Sequence, residues 1–236
     1  MLARKGLLAV LLLGYPWVSS GQNPQLETKN GRQFATVTFS WVRWTASPPY
    51  YSIAIDSAGN ATYQSAPQSL EKTGDPYTIE FVASAPVRDR IFGIVQQLNF
   101  LNLPSKNSST LVATRRATRS IKTLAFREGD TDNQITYESS TNPRIRQLTV
   151  LFENISNTME FGRRLADIRL HENQSGENQR MKTELKRMQS MAQQGRLGDL
   201  PVIAPVLNQI ASDTSASNVV RRRAQAILAY QVAQTQ

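Results

Sequence analysis

The sequence predicts an α+β fold: a mainly antiparallel sheet with two packed helices, followed by a small all-α C-terminal region. Two observations predict it. Segments 34–44, 47–66 and 76–84 are short, are bounded by turn residues and largely alternate apolar with polar positions, which is typical of half-buried strands. From residue 84 the apolar spacing changes to three and four in two long segments, which is typical of helices.

The strands come in two groups. Segment 34–44 begins the first group, and its more apolar side is expected to face the core: Ala35, Val37, Phe39, Trp41 and Arg43. Segment 47–66 predicts a β-hairpin with its turn at residues 56–60, and 76–84 is a further strand. Two more strands, 121–128 and 134–139, are joined by the polar stretch "GDTDN".

Two helices are expected to pack on this sheet. Ser84 can cap the first, and Pro86 stands where a first-turn proline is tolerated. Its apolar positions are Val87, Ile91, Ile94, Val95 and Leu98. The second begins at Pro143 and carries a regular apolar stripe: Ile145, Leu148, Phe152, Ile155 and Met159. Such a stripe needs a partner surface, and the sheet is the obvious one.

The chain is expected to divide into three parts. Residues 1–21 have the order of a secretory signal peptide: the basic Arg4 and Lys5, an apolar run from Leu7 to Leu13, then small residues. That run is too short to span a membrane, so no permanent span is expected after cleavage near Ser20. Residues 22–172 form the α+β domain. Residues 173–236 form the helical region.

Composition excludes several kinds of chemistry. The chain has no cysteine, so disulfides, thiolate nucleophiles and cysteine-bound zinc are excluded. Its single histidine, His171, has no evident catalytic partners. The acidic turn at Glu128, Asp130 and Asp132 does not match a calcium loop, because Ile135 stands where that loop requires glycine. We therefore assign no catalytic, cofactor or metal site, and expect no cofactor.

The basic excess points to an anionic partner. There are 27 lysines and arginines against 18 acidic residues, a formal net charge of +9. Two basic groups are candidate binding residues for such a partner: Arg115, Arg116 and Arg119, and then Arg221, Arg222 and Arg223. An exported, periplasmic or extracellular location favours an acidic protein or an envelope surface. Nucleic acid is not the expected partner, because the basic groups lack interleaved aromatic residues.

Two resemblances accompany this interpretation. The hairpin residues Pro49, Tyr51, Ser52, Ile53, Ile55, Gly59 and Tyr63, followed by strand, helix, two strands and "NPRIRQLTVLFENI", resemble an uncharacterised domain of secreted bacterial proteins. The resemblance covers about residues 34–165 and implies no known activity. That family has Gly-x-Cys-Pro-x-Tyr at the entry to the hairpin, where this chain has "TASPPYY" and no cysteine.

The second resemblance is local. Residues 200–230 are similar to a HEAT-type helical hairpin, with an apolar first helix, Asp213 at the turn and Val220 opening the second helix. A solenoid usually needs three or more repeats, so the pair is expected to pack on a helix near 178–193 or on a partner.

The expected function is that of an exported, non-enzymatic binding protein for a protein or an envelope component. The alternative is a secreted hydrolase whose carboxylate-based site the order of residues does not reveal. The oligomeric state is left open.

Overall fold

A computed structural model describes residues 34–43, 46–66, 76–98, 120–171 and 174–234, and all structural statements concern these residues. Their strands are β1 (Thr36–Arg43), β2 (Tyr50–Asp56), β3 (Asn60–Ser65), β4 (Tyr77–Val82), β5 (Ser120–Glu128) and β6 (Thr131–Tyr137). Their helices are α1 (Ala85–Leu98), α2 (Pro143–His171), α3 (Gln174–Gln193), α4 (Ala204–Ser212) and α5 (Asn218–Gln234), with a 3-10 helix at Leu200–Ile203. None of the described helices is long and apolar enough to cross a membrane.

The six strands form one sheet in the order β4-β3-β2-β1-β5-β6, and neighbouring strands are antiparallel. The predicted α+β class is therefore confirmed. One detail differs from the prediction, because β6 begins at Thr131 and not near residue 134. Thr131 pairs with Glu128, so only Gly129 and Asp130 remain in the turn.

The β2–β3 turn is fixed by one carboxylate. Asp56 Oδ1 accepts the backbone N–H groups of Ala58 and Asn60, at 2.9 and 2.8 Å. Gly59 has φ of 98°, a conformation that side chains with a Cβ rarely adopt. Asp56 and Gly59 therefore fix the conformation of the β2–β3 turn.

The first hydrophobic core lies between one face of the sheet and helices α1 and α2. Phe39 of β1 is fully buried and stacks on Phe152 of α2, with ring centroids 5.2 Å apart. The predicted apolar stripe of α2 faces this core through Leu148, Phe152, Ile155 and Met159. Helix α1 adds Ile91, Ile94, Val95 and Leu98.

The second core joins the other end of α2 to the C-terminal helices. Phe161, Leu165 and Ile168 of α2 pack with residues of α3, α4 and α5, among them Met181, Leu185, Leu207, Ala224 and Ile227. Two helices, α4 and α5, are thus present in this region, and α3 shares a core with them, which is one of the two arrangements expected from the sequence. A single helix, α2, contributes to both cores.

The segment 194–199, before the 3-10 helix, holds the two cores together. The N–H of Gly198 donates to the carbonyl of Asn154 in α2 at 3.1 Å. The buried carboxylate of Asp199 accepts the N–H of Ser84, just before α1, at 3.0 Å. About two turns further along α2, Gly162 meets Ile203 so closely that an added Cβ would stand 2.5 Å from its Cγ2.

Candidate functional site

The predicted basic residues of α5 lie at a seam between two helices. Ser217, just before α5, donates its N–H to Asn178 of α3 at 2.8 Å, and Arg223 donates to the carbonyl of Lys182 at 2.7 Å. The two helices therefore run in the same direction along the seam. Arg221 instead hydrogen-bonds Asn218 within its own helix. Arg115, Arg116 and Arg119 lie outside the described residues.

This seam brings Arg223 of α5 against Lys182 of α3, 41 positions away in the sequence. We call Lys182, Lys186, Arg222 and Arg223 the basic strip. Lys182, Lys186 and Arg222 are exposed, and Lys182 and Lys186 share a helix face because they are four residues apart. No member has an ion pair with a carboxylate in the described part of the chain. The strip is therefore free to attract anionic groups.

A second set of polar groups lies between the sheet and α2. The strand register aligns six residues in one row on the helix-facing side, which we call the polar row: Tyr77, Ser65, Tyr51, Trp41, Lys122 and Tyr137. Helix α2 faces this row with a stripe of polar residues: Thr149, Glu153, Ser156 and Glu160. Each stripe residue directly follows a member of the apolar stripe, so polar and apolar side chains advance together around α2.

One end of the row is closed by Glu160. This buried carboxylate accepts the Tyr63 hydroxyl at 2.8 Å and the Ser65 hydroxyl at 3.0 Å. Arg163 donates twice to its other oxygen, at 2.9 and 3.1 Å. Burial raises the pKa of Tyr63, and the neighbouring Glu160 raises it further. The saturated carboxylate thus fastens β3 to α2.

The other end is closed by Tyr137 and Thr149. Their hydroxyls lie 2.8 Å apart, and the Thr149 hydroxyl also donates to the carbonyl of Ile145. Burial raises the pKa of Tyr137 to about 12. This end, too, has its hydrogen-bonding groups paired.

The middle of the row differs from both ends. The guanidinium of Arg43 lies 4.8 Å from the ring centroid of Trp41 and 5.4 Å from that of Tyr51. Lys122 Nζ lies 4.2 Å from the Trp41 ring. We call these four residues and Glu153 of α2 the Arg43 site. They come from β1, β2, β5 and α2, which meet at one end of the sheet.

Three buried donors of the Arg43 site have no acceptor among the residues that the structure describes: Trp41 Nε1, Arg43 Nε and Tyr51 Oη. Ser156 lies close enough to lower the pKa of Tyr51, yet the two hydroxyls do not reach hydrogen-bonding geometry. Burial dominates and raises that pKa, and Glu153 adds to the rise. A buried polar group without a partner costs about 1–3 kcal/mol, so three in one cluster require an explanation.

Glu153 is the acid of the site. Its carboxylate is half-buried and makes no hydrogen bond or ion pair with the described residues. Burial raises its pKa above the usual range, against the opposing effects of Lys122, Arg43 and Arg196. Burial likewise lowers the pKa of Lys122. The groups that act on Glu153 are cations, and no second carboxylate is among them.

Sequence reasoning missed the Arg43 site, although two signals pointed to it. Lys122 has the same strand parity as Leu124 and Phe126, which places it on the helix-facing side. The stripe of α2 repeats polar residues at intervals of four, three and four. What the sequence could not supply was the register that sets Trp41 between Tyr51 and Lys122.

No protein-family model matches the chain, and no curated protein is similar to it. The class of this protein is therefore stated from its fold alone: it is an α+β protein with a helical C-terminal region. Within the described residues, no group of three or more acidic or histidine side chains could hold a metal ion.

Proposed function

We propose that this is an exported, non-enzymatic protein that binds an acidic protein or an anionic envelope surface through the basic strip. The observation that carries the proposal is that Arg223 of α5 contacts α3 at Lys182 and that the cations of the strip have no ion pair with a described carboxylate. Surface cations with no ion-pair partner are well placed to attract an anionic surface. Export is supported by the leader-like order of residues 1–21.

The alternative of a carboxylate-based hydrolase has less support in the geometry. Such chemistry usually uses two carboxyl groups, one of which is an acid and the other a base or nucleophile. Glu160 is saturated by donors from Tyr63, Ser65 and Arg163. Glu153 has no second carboxylate acting on it. Binding is therefore the function that the geometry favours.

The test is capture of binding partners from envelope extracts by the immobilised chain at low and high salt. The strip variant combines Lys182→Gln with Arg222→Gln. The matched control combines Arg144→Gln with Arg146→Gln, which removes the same charge from the exposed start of α2. We expect the strip variant to lose capture and the control to retain it, with binding weakened by salt. Equal capture by both variants would show that the strip is not the binding surface.

A second assay determines whether the partner is an anionic lipid surface or an acidic protein. Vesicles of anionic phospholipid and the protein fraction of the same extract are offered separately to the chain. Binding to vesicles identifies an envelope surface, and binding to the protein fraction alone identifies an acidic protein. Binding to neither contradicts the proposal.

A further inference from the structure

The polar groups of the polar row and of α2 are hydrogen-bonded at both ends of the row, but three donors in its middle have no acceptor among the described residues. At the ends, hydroxyls meet Glu160 and Thr149 at normal hydrogen-bond distances. In the middle, three donor atoms are shielded from solvent, and Tyr51 is only 1% exposed. The unpaired donors thus lie between two places where α2 and the sheet are close enough to hydrogen-bond. The middle therefore has the character of a binding site that requires an acceptor.

The three donors define the chemistry of that acceptor. An indole N–H, a guanidinium Nε–H and a phenol each donate, and the indole and guanidinium cannot accept at all. The ligand group must therefore supply several lone pairs. The guanidinium lies against Trp41 and Tyr51, and Lys122 lies against Trp41 as well. With these cations against the rings, a group that stacks on the aromatic faces is disfavoured.

The charge of the site selects among anions. Arg43 and Lys122 are cations, Arg196 also acts on Glu153 from outside the site, and Glu153 is an acid, so positive charge is in excess even when Glu153 is ionised. A carboxylate carries one negative charge and two oxygens with about four acceptor positions, which matches three donors. A phosphate dianion would place a second negative charge beside Glu153. Repulsion from Glu153 therefore favours the singly charged carboxylate over phosphate.

We propose that the Arg43 site binds a carboxylate group, which accepts hydrogen bonds from Trp41 Nε1, Arg43 Nε and the Tyr51 hydroxyl. Lys122 and Glu153 are the partly exposed members and stand on facing elements, β5 and α2. Their flexible side chains form the solvent side of the site and separate when the ligand enters. The carboxylate belongs either to a free small acid or to the terminus of a peptide. This site is separate from the basic strip and is tested without it.

The test follows the Trp41 indole N–H by proton–nitrogen NMR, with Trp17→Phe and Trp44→Phe used to assign the signal. The chain is titrated with acetate, with a short acetylated peptide bearing a free C-terminal carboxylate, and with the same peptide amidated. We expect a saturable shift with the free peptide and none with the amidated one. Acetate shifts the signal as well if a free acid suffices, and leaves it unmoved if a peptide terminus is required. No shift with either carboxylate overturns the proposal.

Two inorganic anions serve as controls in the same titration. Phosphate is expected to bind at least about tenfold more weakly than the better carboxylate, which corresponds to about 1.4 kcal/mol. Chloride is expected to leave the indole signal unmoved. An equal response to chloride, phosphate and carboxylate means an adventitious ion only, and overturns the proposal.

Variants separate binding from a structural role. Tyr51→Phe removes only a hydroxyl, and we expect about tenfold weaker carboxylate binding together with a more stable fold. Glu153→Gln removes the negative charge of the site and should strengthen binding. Tyr137→Phe is the matched control, because its hydroxyl already pairs with Thr149. Unchanged carboxylate affinity in both Tyr51→Phe and Glu153→Gln would overturn the proposal. If one variant folds poorly, unchanged affinity in the other, folded variant overturns it.

Discussion

Two neighbouring tyrosines of the sheet should respond in opposite directions to the same substitution. Tyr51 and Tyr63 are both buried, and their ring centroids lie 6.3 Å apart. The hydroxyl of Tyr51 has no acceptor among the described residues, whereas that of Tyr63 donates to Glu160 at 2.8 Å. Replacing each with phenylalanine removes one oxygen and keeps the ring. Comparing the two substitutions therefore shows how much a hydrogen-bonded hydroxyl contributes to the free energy of unfolding.

The magnitudes follow from the cost of unmade hydrogen bonds. Removing the unpaired Tyr51 hydroxyl relieves a desolvation cost of about 1–3 kcal/mol. A small loss of packing offsets part of this, so we expect a net gain of about 1 kcal/mol in the free energy of unfolding. Removing the Tyr63 hydroxyl takes a charge-assisted hydrogen bond from buried Glu160 and should cost about 1.5–3 kcal/mol.

Urea denaturation followed by far-ultraviolet circular dichroism measures both changes. The midpoint should rise for Tyr51→Phe and fall for Tyr63→Phe, with the slope against urea unchanged. A fall for both substitutions, of similar size, would refute the reasoning, because it would show that the Tyr51 hydroxyl has a partner in the folded protein.

Three further predictions concern the junction between the two cores. Gly162→Ala should destabilise the fold by about 1–3 kcal/mol, since the new methyl group meets Ile203 Cγ2, and a second change, Ile203→Ala, should recover part of the loss in thermal melts. Burial raises the pKa of Asp199 despite hydrogen bonds from Ser84, so its contribution to stability is greatest below its unfolded pKa and is lost as pH rises through the folded value. Asp199→Asn should therefore flatten the pH dependence of the unfolding free energy above about pH 4, and an unaltered dependence would contradict this assignment. Deleting residues 174–236 strips the cover from the C-terminal half of α2; a cooperative urea transition in the remaining fragment would support an independently folding domain at 22–172, and its absence would contradict that prediction.

The sequence predicts the elements of this fold well because their signals are local. Alternation in segment 34–44 predicts which side of β1 is buried, and Val37 and Phe39 are indeed fully buried. The stripe of α2 predicts its packing for the same reason. The order of strands is a different matter, since β1 pairs with β5 across some eighty residues. No local pattern encodes that partner.

The candidate sites depend on this long-range pairing. The run of arginines predicts Arg222 and Arg223 as binding residues, but the contact of Arg223 with Lys182 follows only from the way α5 packs on α3. The Arg43 site was not predicted. A tryptophan, a tyrosine and a lysine in three alternating strands become neighbours only when the register of those strands is known.

Because α2 is one continuous helix that contributes to both cores, an insertion or deletion within it would change how its two halves are placed relative to each other. An α-helix turns by about 100° per residue, so one residue added after Met159 would rotate Phe161, Leu165 and Ile168 away from the C-terminal helices. Seven added residues would nearly restore the rotation, but would shift these side chains by about 10.5 Å along the axis. Gly162 would then no longer lie opposite Ile203. Chains of this architecture should therefore tolerate length changes in their loops while keeping the spacing between Phe152 and Phe161.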